Sequence, residues 1–242
     1  MTALLEIENL HVRVGGHDAV RGVSFAMDRE RLGIVGESGA GKSMLARAIV
    51  GLLPKGATTR GRIAFAGGPV VPAMRGRRIA LVLQDPRFSL NPAMRIGDQI
   101  AEVVPGRGKS EALRLLEAVQ IRDPALVYRR YPYQLSGGMG QRAMIAMMLA
   151  PNPDLLIADE PTSALDAGVA NDILALLDAE AARRNMGVIL ISHDLDLVAS
   201  FCDRVLVMKD GAIVEASDAA RLGETTNPYT RQLLSARLRL EA

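Results

Sequence analysis

The sequence predicts an α/β fold with a largely parallel core, opened by antiparallel strands and interrupted by a helical insert. Three observations carry this. The short apolar runs in "RLGIV", "DLLIADE" and "GVILISHD" each lead into a helical segment, and strands that alternate with helices build parallel sheets. The opening residues alternate instead, with Leu5, Ile7, Val12 and Val14 apolar and polar residues between them, as in half-buried antiparallel strands. Between Asp85 and Ala150 the texture changes to helical periodicity broken by Pro and Gly, as in "GKSEALRLLEAVQIRDPALV".

Taken in order, the alternating strands give way to "RLGIVGESGAGKSMLARAIVGLL", which reads as strand, glycine loop and helix. Short strands are expected around 62–65 and 78–83. The helical insert, about 86–150, has the character of a subdomain, because the strands flanking it would continue one sheet. After "DLLIADE" and "GVILISHD", the run "RVLVMKDGAIVEA" carries Asp210-Gly211, a hairpin signal. A C-terminal extension is expected over about 217–242. No internal repeat, low-complexity tract or linker divides the sequence, so one domain spanning 1–242 is expected.

The totals exclude several classes. A chain of 242 residues can bury a substantial single core. The net charge of +2 gives no electrostatic case for nucleic acid, and 3% aromatics with no Trp argue against a base-stacking platform. The single cysteine, Cys202, lies in apolar "VASFCDRVLVM" and is expected to be a small core residue in a reducing compartment. The opening "MTALLEIENL" lacks the pattern of a signal peptide. No stretch approaches the roughly 18 apolar residues of a membrane span, so a role at a membrane would run through a partner.

The chemistry concentrates in four motifs. Gly36-Glu37-Ser38-Gly39-Ala40-Gly41-Lys42-Ser43 fits the phosphate-loop pattern G-x-x-x-x-G-K-[ST], with an apolar strand before it and an amphipathic helix after it. Its glycines let the backbone wrap phosphates. Lys42 can reach the β and γ phosphates, and the Ser43 hydroxyl can ligate Mg²⁺. "LLIADEP" is a buried-type strand that releases Asp159 and Glu160 at its carboxyl end, where parallel sheets bind ligands. Asp159 would hold Mg²⁺, and Glu160 could activate an attacking water. "VILISHD" places His193 just beyond another strand, within reach of a γ-phosphate. His11 and His17 fall among the early strands and turns, where surface or packing roles are expected. Lastly, "LSGGMGQRAMIAMMLA" sets Ser136-Gly137-Gly138 directly before a long helix. Such a turn is a second anion site, because backbone N–H groups and the helix dipole face outward there. The methionines of that helix, Met144, Met147 and Met148, recur at helical spacing, as core residues do.

"GESGAGKS", "LVLQDP", "LSGGMGQR", "LLIADEPTSALD" and "LISHD" occur in the order seen in ABC-type ATPases, and the resemblance covers nearly the whole chain. It implies a P-loop NTPase nucleotide-binding domain of the ABC type, with a RecA-like core, an antiparallel β subdomain and an inserted helical subdomain. It also answers why one chain would carry two phosphate-facing turns. In this family two such subunits pack head to tail around two ATP molecules, and Ser136, Gly137 and Gly138 would close over the nucleotide of the partner. By the same resemblance Asp166 in "SALD" would lie at the dimer seam, and Gln84 would sense Mg²⁺ and the attacking water. ATP and Mg²⁺ are the implied cofactors. Two departures stand out. Val14 falls where the family often has an aromatic residue for adenine, and Met139 replaces the commoner Gln at the fifth signature position.

"LQDPRFSLNP", "LSGGMGQRAMIAMMLA" and Asn227-Pro228-Tyr229-Thr230 further resemble the oligopeptide, dipeptide and nickel importer ATPases. Peptide members commonly extend further, with a cysteine-containing tail. The shorter form and "GLLPKGATTRGRIAFAGGPV" tilt the expectation towards nickel or a nickel chelate over peptides. Implied partners are a second ABC ATPase, identical or different, two transmembrane permease subunits and, indirectly, a solute-binding protein. The implied location is peripheral, on the cytoplasmic face of the inner (cell) membrane. A non-transport ABC ATPase is the alternative class, but neither a long coiled-coil insertion nor a second ATPase domain is visible. Intact Lys42, Asp159, Glu160 and His193 argue against a module that binds without hydrolysis, and no N-K-x-D motif reads guanine.

Overall fold

The computed structural model describes residues 3–104, 106, 108–163, 165 and 167–238. In chain order the strands and helices are β1 (Leu5–Val14), β2 (His17–Met27), β3 (Arg31–Val35), α1 (Lys42–Ile49), β4 (Thr58–Phe65), β5 (Gly68–Pro69) and β6 (Ile79–Val82). Then follow α2 (Ile96–Val103), α3 (Lys109–Ala118), α4 (Pro124–Arg129), α5 (Gly137–Leu149), β7 (Leu155–Asp159) and α6 (Ala167–Arg184). The chain closes with β8 (Gly187–Ser192), α7 (Leu195–Phe201), β9 (Arg204–Lys209), β10 (Ala212–Asp218) and α8 (Pro228–Leu238). It forms two compact units, Met1–Pro72 with Gly187–Ala242, and Ala73–Met186.

In the first unit, β2, β1, β4 and β5 pair antiparallel in that order. The apolar phase of β1 is not a simple period of two. Leu5 and Ile7 are buried, and so are Leu10 and Val12. The phase jumps because Asn9 has φ 46° and the pairing with β4 shifts register between Glu8 and His11. This bulge adds one residue, which turns the second half of the strand back onto its buried face. Val14, at the end of β1, is only half-buried and pairs across the hairpin with His17.

The same unit contains β10, β9, β3 and β8 side by side, with β9, β3 and β8 parallel and β10 antiparallel to β9. Asp210 and Gly211, with φ of 47° and 83°, make the expected tight turn between β9 and β10. Leu32, Ile34 and Val35 of β3 are wholly buried. Helix α7 packs on this strand so closely that a Cβ at Gly33 would lie 2.2 Å from Val198 Cγ1. Cys202, at the end of α7, is buried as expected, and desolvation pushes its thiol up to about 12, which leaves it protonated and inert.

In the second unit β6 and β7 pair in parallel, from Ile79 opposite Leu155 to Val82 opposite Ala158. Helix α3 packs on α2, α4 and α5. The shared core holds Ile96, Ile100, Leu115, Leu116, Val127 and Ile145. Met144 belongs to it, fully buried, whereas Met147 and Met148 are half-buried. Arg142 Nη2 ties α5 to α6 through Asp172 at 3.0 Å.

One ion pair fixes the start of β3 to the start of β9. Asp203 accepts hydrogen bonds from Arg31 N–H and Arg31 Nη2, both at 2.8 Å. The hydrogen bonds of the Arg31 side chain are the main reason that the Asp203 carboxyl titrates below its usual range. With a folded-state pKa below the unfolded value of about 3.9, its stabilisation is present above that pH and fades as pH falls through the folded value. Asp203→Asn is therefore expected to lower the melting temperature at pH 7. The gap to the unaltered protein should close in thermal scans below about pH 4.

Candidate functional site

In the first unit, parallel pairing sets the carboxyl ends of β3 and β8 together, with Val35 opposite Ser192. The next residues are Gly36 and His193, so the phosphate loop and the histidine leave neighbouring strands at the end where α/β sheets bind ligands. Two glycines of the loop are required by its geometry. A Cβ at Gly36 would lie 2.2 Å from the Met208 carbonyl oxygen, and one at Gly41 would lie 2.2 Å from that of Ala19. Gly41 also takes φ 98° as the residue that opens α1. Glu37, Ser38 and Gly39 are exposed, Ala40 is buried and Ser43 is half-buried in the first turn of α1. Lys42 is buried, and its Nζ donates to the carbonyls of Gly36 at 2.7 Å and Glu37 at 3.0 Å. The ammonium thus spans the mouth of its own loop, where it takes the place that carbonyl dipoles offer a cation. His193 is exposed, and the next residue, Asp194, caps α7 by accepting from the N–H groups of Asp196 and Leu197.

The second unit repeats this logic. β6 and β7 end side by side and release Gln84 and the pair Asp159-Glu160. Asp159 is buried, 6% exposed. Glu160 has φ 52°, a left-handed conformation that costs a non-glycine residue about 1–3 kcal/mol. Side chains stabilise the chain at this bend. Ser163 Oγ donates to the Glu160 carbonyl at 3.2 Å and accepts from Gln84 Nε2 at 3.0 Å. Buried Gln141 Nε2 donates to the Pro161 carbonyl at 2.8 Å. The structure therefore joins Gln84 to the backbone of Glu160 through Ser163, a residue that sequence reasoning did not single out. Nothing in "EPTS" marks the serine as a bridge, because its second partner lies 79 positions away. Asp166 lies outside the described residues.

Ser136 is the N-cap of α5, and its Oγ accepts from the Met139 N–H at 3.4 Å. Met139 acts here through its backbone. A Cβ at Gly137 would meet nothing within 4 Å, and one at Gly138 would make only ordinary contact with Val169. The chain's own packing thus demands glycine at neither position. A cavity of about 730 Å³ within this unit is lined by Gln84, Pro86, Leu90, Tyr133, Ser136 and Gln141, among others. One hollow therefore touches both Gln84 and the cap of α5.

A family model described as ABC transporter matches residues 20–163. The chain belongs to the ABC transporter family. A probable peptide ABC transporter ATP-binding protein of Sinorhizobium fredii, y4tR, is 43% identical over 96% of this chain and 76% of its own length. The oligopeptide transport ATP-binding protein OppD of Bacillus subtilis is 42% identical over 100% of this chain and 74% of its own length. Among solved structures, the dimeric ATP-binding cassette MJ0796, in a post-hydrolysis state bound to ADP and Pi, aligns with a TM-score of 0.78. It is 25% identical and covers 89% of this chain and 98% of its own. The fold is accordingly that of an ABC nucleotide-binding domain, with its antiparallel sheet and helical subdomain, and the chain is an ATP-binding ATPase of a transporter. Among the described residues of this ABC ATPase, no helix is long and apolar enough to cross a membrane.

The Ser163 bridge makes a measurable difference to this ATPase. Ser163→Ala removes a donor to the strained Glu160 carbonyl and the partner of Gln84. Turnover at saturating ATP is expected to fall at least about fivefold, the worth of one of the two hydrogen bonds lost, with ATP affinity little changed. A steady-state assay that separates kcat from KM checks it.

Proposed function

We propose that this chain is the motor subunit of an importer of dipeptides or oligopeptides. The observation that carries the peptide assignment is 42–43% identity, over nearly the whole chain, to relatives named for peptide and oligopeptide transport. The sequence expectation that favoured nickel finds no support among these relatives. A non-transport ATPase is likewise disfavoured by the family match.

The roles follow from the chemistry of each position. Backbone N–H groups of residues 39–43 and the α1 dipole suit the phosphates of ATP, and Lys42 would exchange its carbonyl partners for β and γ oxygens. The available donors fit Mg²⁺: the Ser43 hydroxyl, the Asp159 carboxylate and the Gln84 amide oxygen are all hard oxygen ligands. Gln84 has its amide nitrogen committed to Ser163, so its oxygen is the atom that would hold the metal. Bound Mg²⁺ would supply neutralisation of phosphate charge. Glu160 would take the proton from the attacking water while His193 donates to the γ-phosphate. Ser136, Gly137 and Gly138 would serve the nucleotide held by a second ATPase subunit packed head to tail, with Asp166 at the seam. The lack of any internal need for glycine at 137 supports this, since a bare backbone is useful to a group that arrives from outside.

The same reading places the chain peripherally on the cytoplasmic face of the cell membrane, against two permease subunits that receive cargo from a solute-binding protein. Tyr133 at the cavity and Phe88 nearby in sequence are 74% and 81% exposed, large apolar surfaces suited to a protein partner. Nucleic acid has no place in this function.

Two outcomes test the roles. Glu160→Gln is expected to keep ATP binding, lower kcat by at least about a hundredfold and accumulate an ATP-bound dimer on size exclusion; wild-type turnover would remove Glu160 from its role. Ser136→Ala is expected to lower turnover of the assembled transporter while the isolated chain binds ATP as before. Peptide-stimulated ATPase activity in reconstituted transporter, without stimulation by nickel, supports the cargo assignment, and the reverse result overturns it.

A further inference from the structure

The Asn227-Pro228-Tyr229-Thr230 segment marks a branch of the family in the sequence, and in the structure each of its residues has a distinct contact. Asn227 Oδ1 caps α8 by accepting from the N–H groups of Tyr229 at 2.9 Å and Thr230 at 3.3 Å. Pro228 occupies the first helical position, where a missing N–H costs nothing. The Thr230 hydroxyl, fully buried, donates to Glu215 of β10, which also accepts from Thr225 Oγ1 at 2.7 Å. Asn227 Nδ2 adds a bond to the Val214 carbonyl at 3.0 Å. The start of α8 is thereby fixed to β10.

Tyr229 then reaches the phosphate loop. It is 7% exposed, the Lys209 ammonium lies 4.7 Å above its ring, and its hydroxyl oxygen accepts from the Glu37 N–H at 3.2 Å. The loop has a second outside support at its other side, where Gly211 N–H, in the β9–β10 turn, donates to the Ala40 carbonyl at 3.1 Å. Glu37 is exposed, so water could satisfy its N–H without help. A buried side chain 192 residues away is not needed for that purpose. Its effect is to restrict the loop at the residue after Gly36, before any ligand arrives. A loop already ordered loses less conformational entropy on closing around phosphates.

We propose that Tyr229 is a positioning residue of the nucleotide site, which pre-orders the phosphate loop through the Glu37 amide and makes the start of α8 part of the ATP-binding apparatus. This rests on the assignment of residues 36–43 to the phosphates of ATP. Because Tyr229 acts on the loop and not on a base, its effect falls equally on ATP and GTP.

The test is calorimetric titration of the full chain with Mg·ATP and with Mg·GTP. Tyr229→Phe keeps the ring and its contact with Lys209 and removes only the acceptor. It is expected to raise both dissociation constants about fivefold, the worth of one hydrogen bond. The nucleotide-free melting temperature should stay unchanged. Wild-type affinity for both nucleotides, with or without a lowered melting temperature, overturns the proposal and leaves Tyr229 a packing residue. Lys42→Ala separates the two levels of inference. If it loses nucleotide binding while Tyr229→Phe does not, only the positioning role falls; if it binds normally, the phosphate-loop assignment falls and the positioning role with it. Should the Phe variant fail to fold, amide exchange in the unaltered protein decides. Slow exchange at Glu37 supports the contact, and exchange at the rate of an open loop removes it.

Discussion

Where two strands run parallel, the hydrogen-bond ladder brings their carboxyl ends level, and the residues that follow must leave the sheet at the same edge. Val35 and Ser192 end level in one unit, and Val82 and Ala158 pair in the other. Most of the chemically distinctive groups follow from those exits: the phosphate loop and His193 in the first unit, Gln84 and Asp159-Glu160 in the second, while the Ser136 turn opens α5. Apart from Asp159, the last residue of β7, the buried strands contribute no chemistry themselves. Leu32, Ile34 and Val35 or Leu155, Leu156 and Ile157 supply a rigid apolar base from which short polar segments project.

Backbone, more than side chain, then shapes these segments. Gly36 and Gly41 allow the loop to pass beneath carbonyls of Met208 and Ala19 at a distance no Cβ could tolerate. Glu160 adopts a left-handed conformation without being glycine, and its own carbonyl and that of Pro161 are held by Ser163 and Gln141. A strained residue persists only when its surroundings over-determine it. Here a glutamate stands where glycine would be easier, which supports, independently of the family, the proposed role of its carboxylate.

Much of this was legible in sequence because it depends on local spacing. The strand–loop–helix context of Lys42, the strand-end position of Asp159 and the Asp210-Gly211 turn all follow from neighbours within a few residues. The signal failed wherever the deciding contact was distant or the period broke. A bulge at Asn9 shifted the buried face of β1, so Leu10, not Val14, completes the buried set with Val12. Ser163 becomes a bridge through Gln84, 79 residues earlier, and Tyr229 reaches the loop through Glu37. The helical methionines divided because periodicity gives a face and not its depth: Met144 is enclosed, while Met147 and Met148 lie at its margin.

The residues that mark the branch also explain why the cassette carries the mechanism better than the cargo. Met139 is engaged through its backbone N–H in the cap made by Ser136, and Asn227 to Thr230 secure α8 and touch the phosphate loop. These marks lie at or beside the proposed nucleotide contacts. A substrate that crosses through membrane subunits exerts no direct chemical demand on them. On the proposed reading, the cap made by Ser136 and the hydroxyl of Tyr229 tune the signature turn and the loop. Each is worth on the order of one hydrogen bond, enough to change an affinity severalfold without altering the reaction.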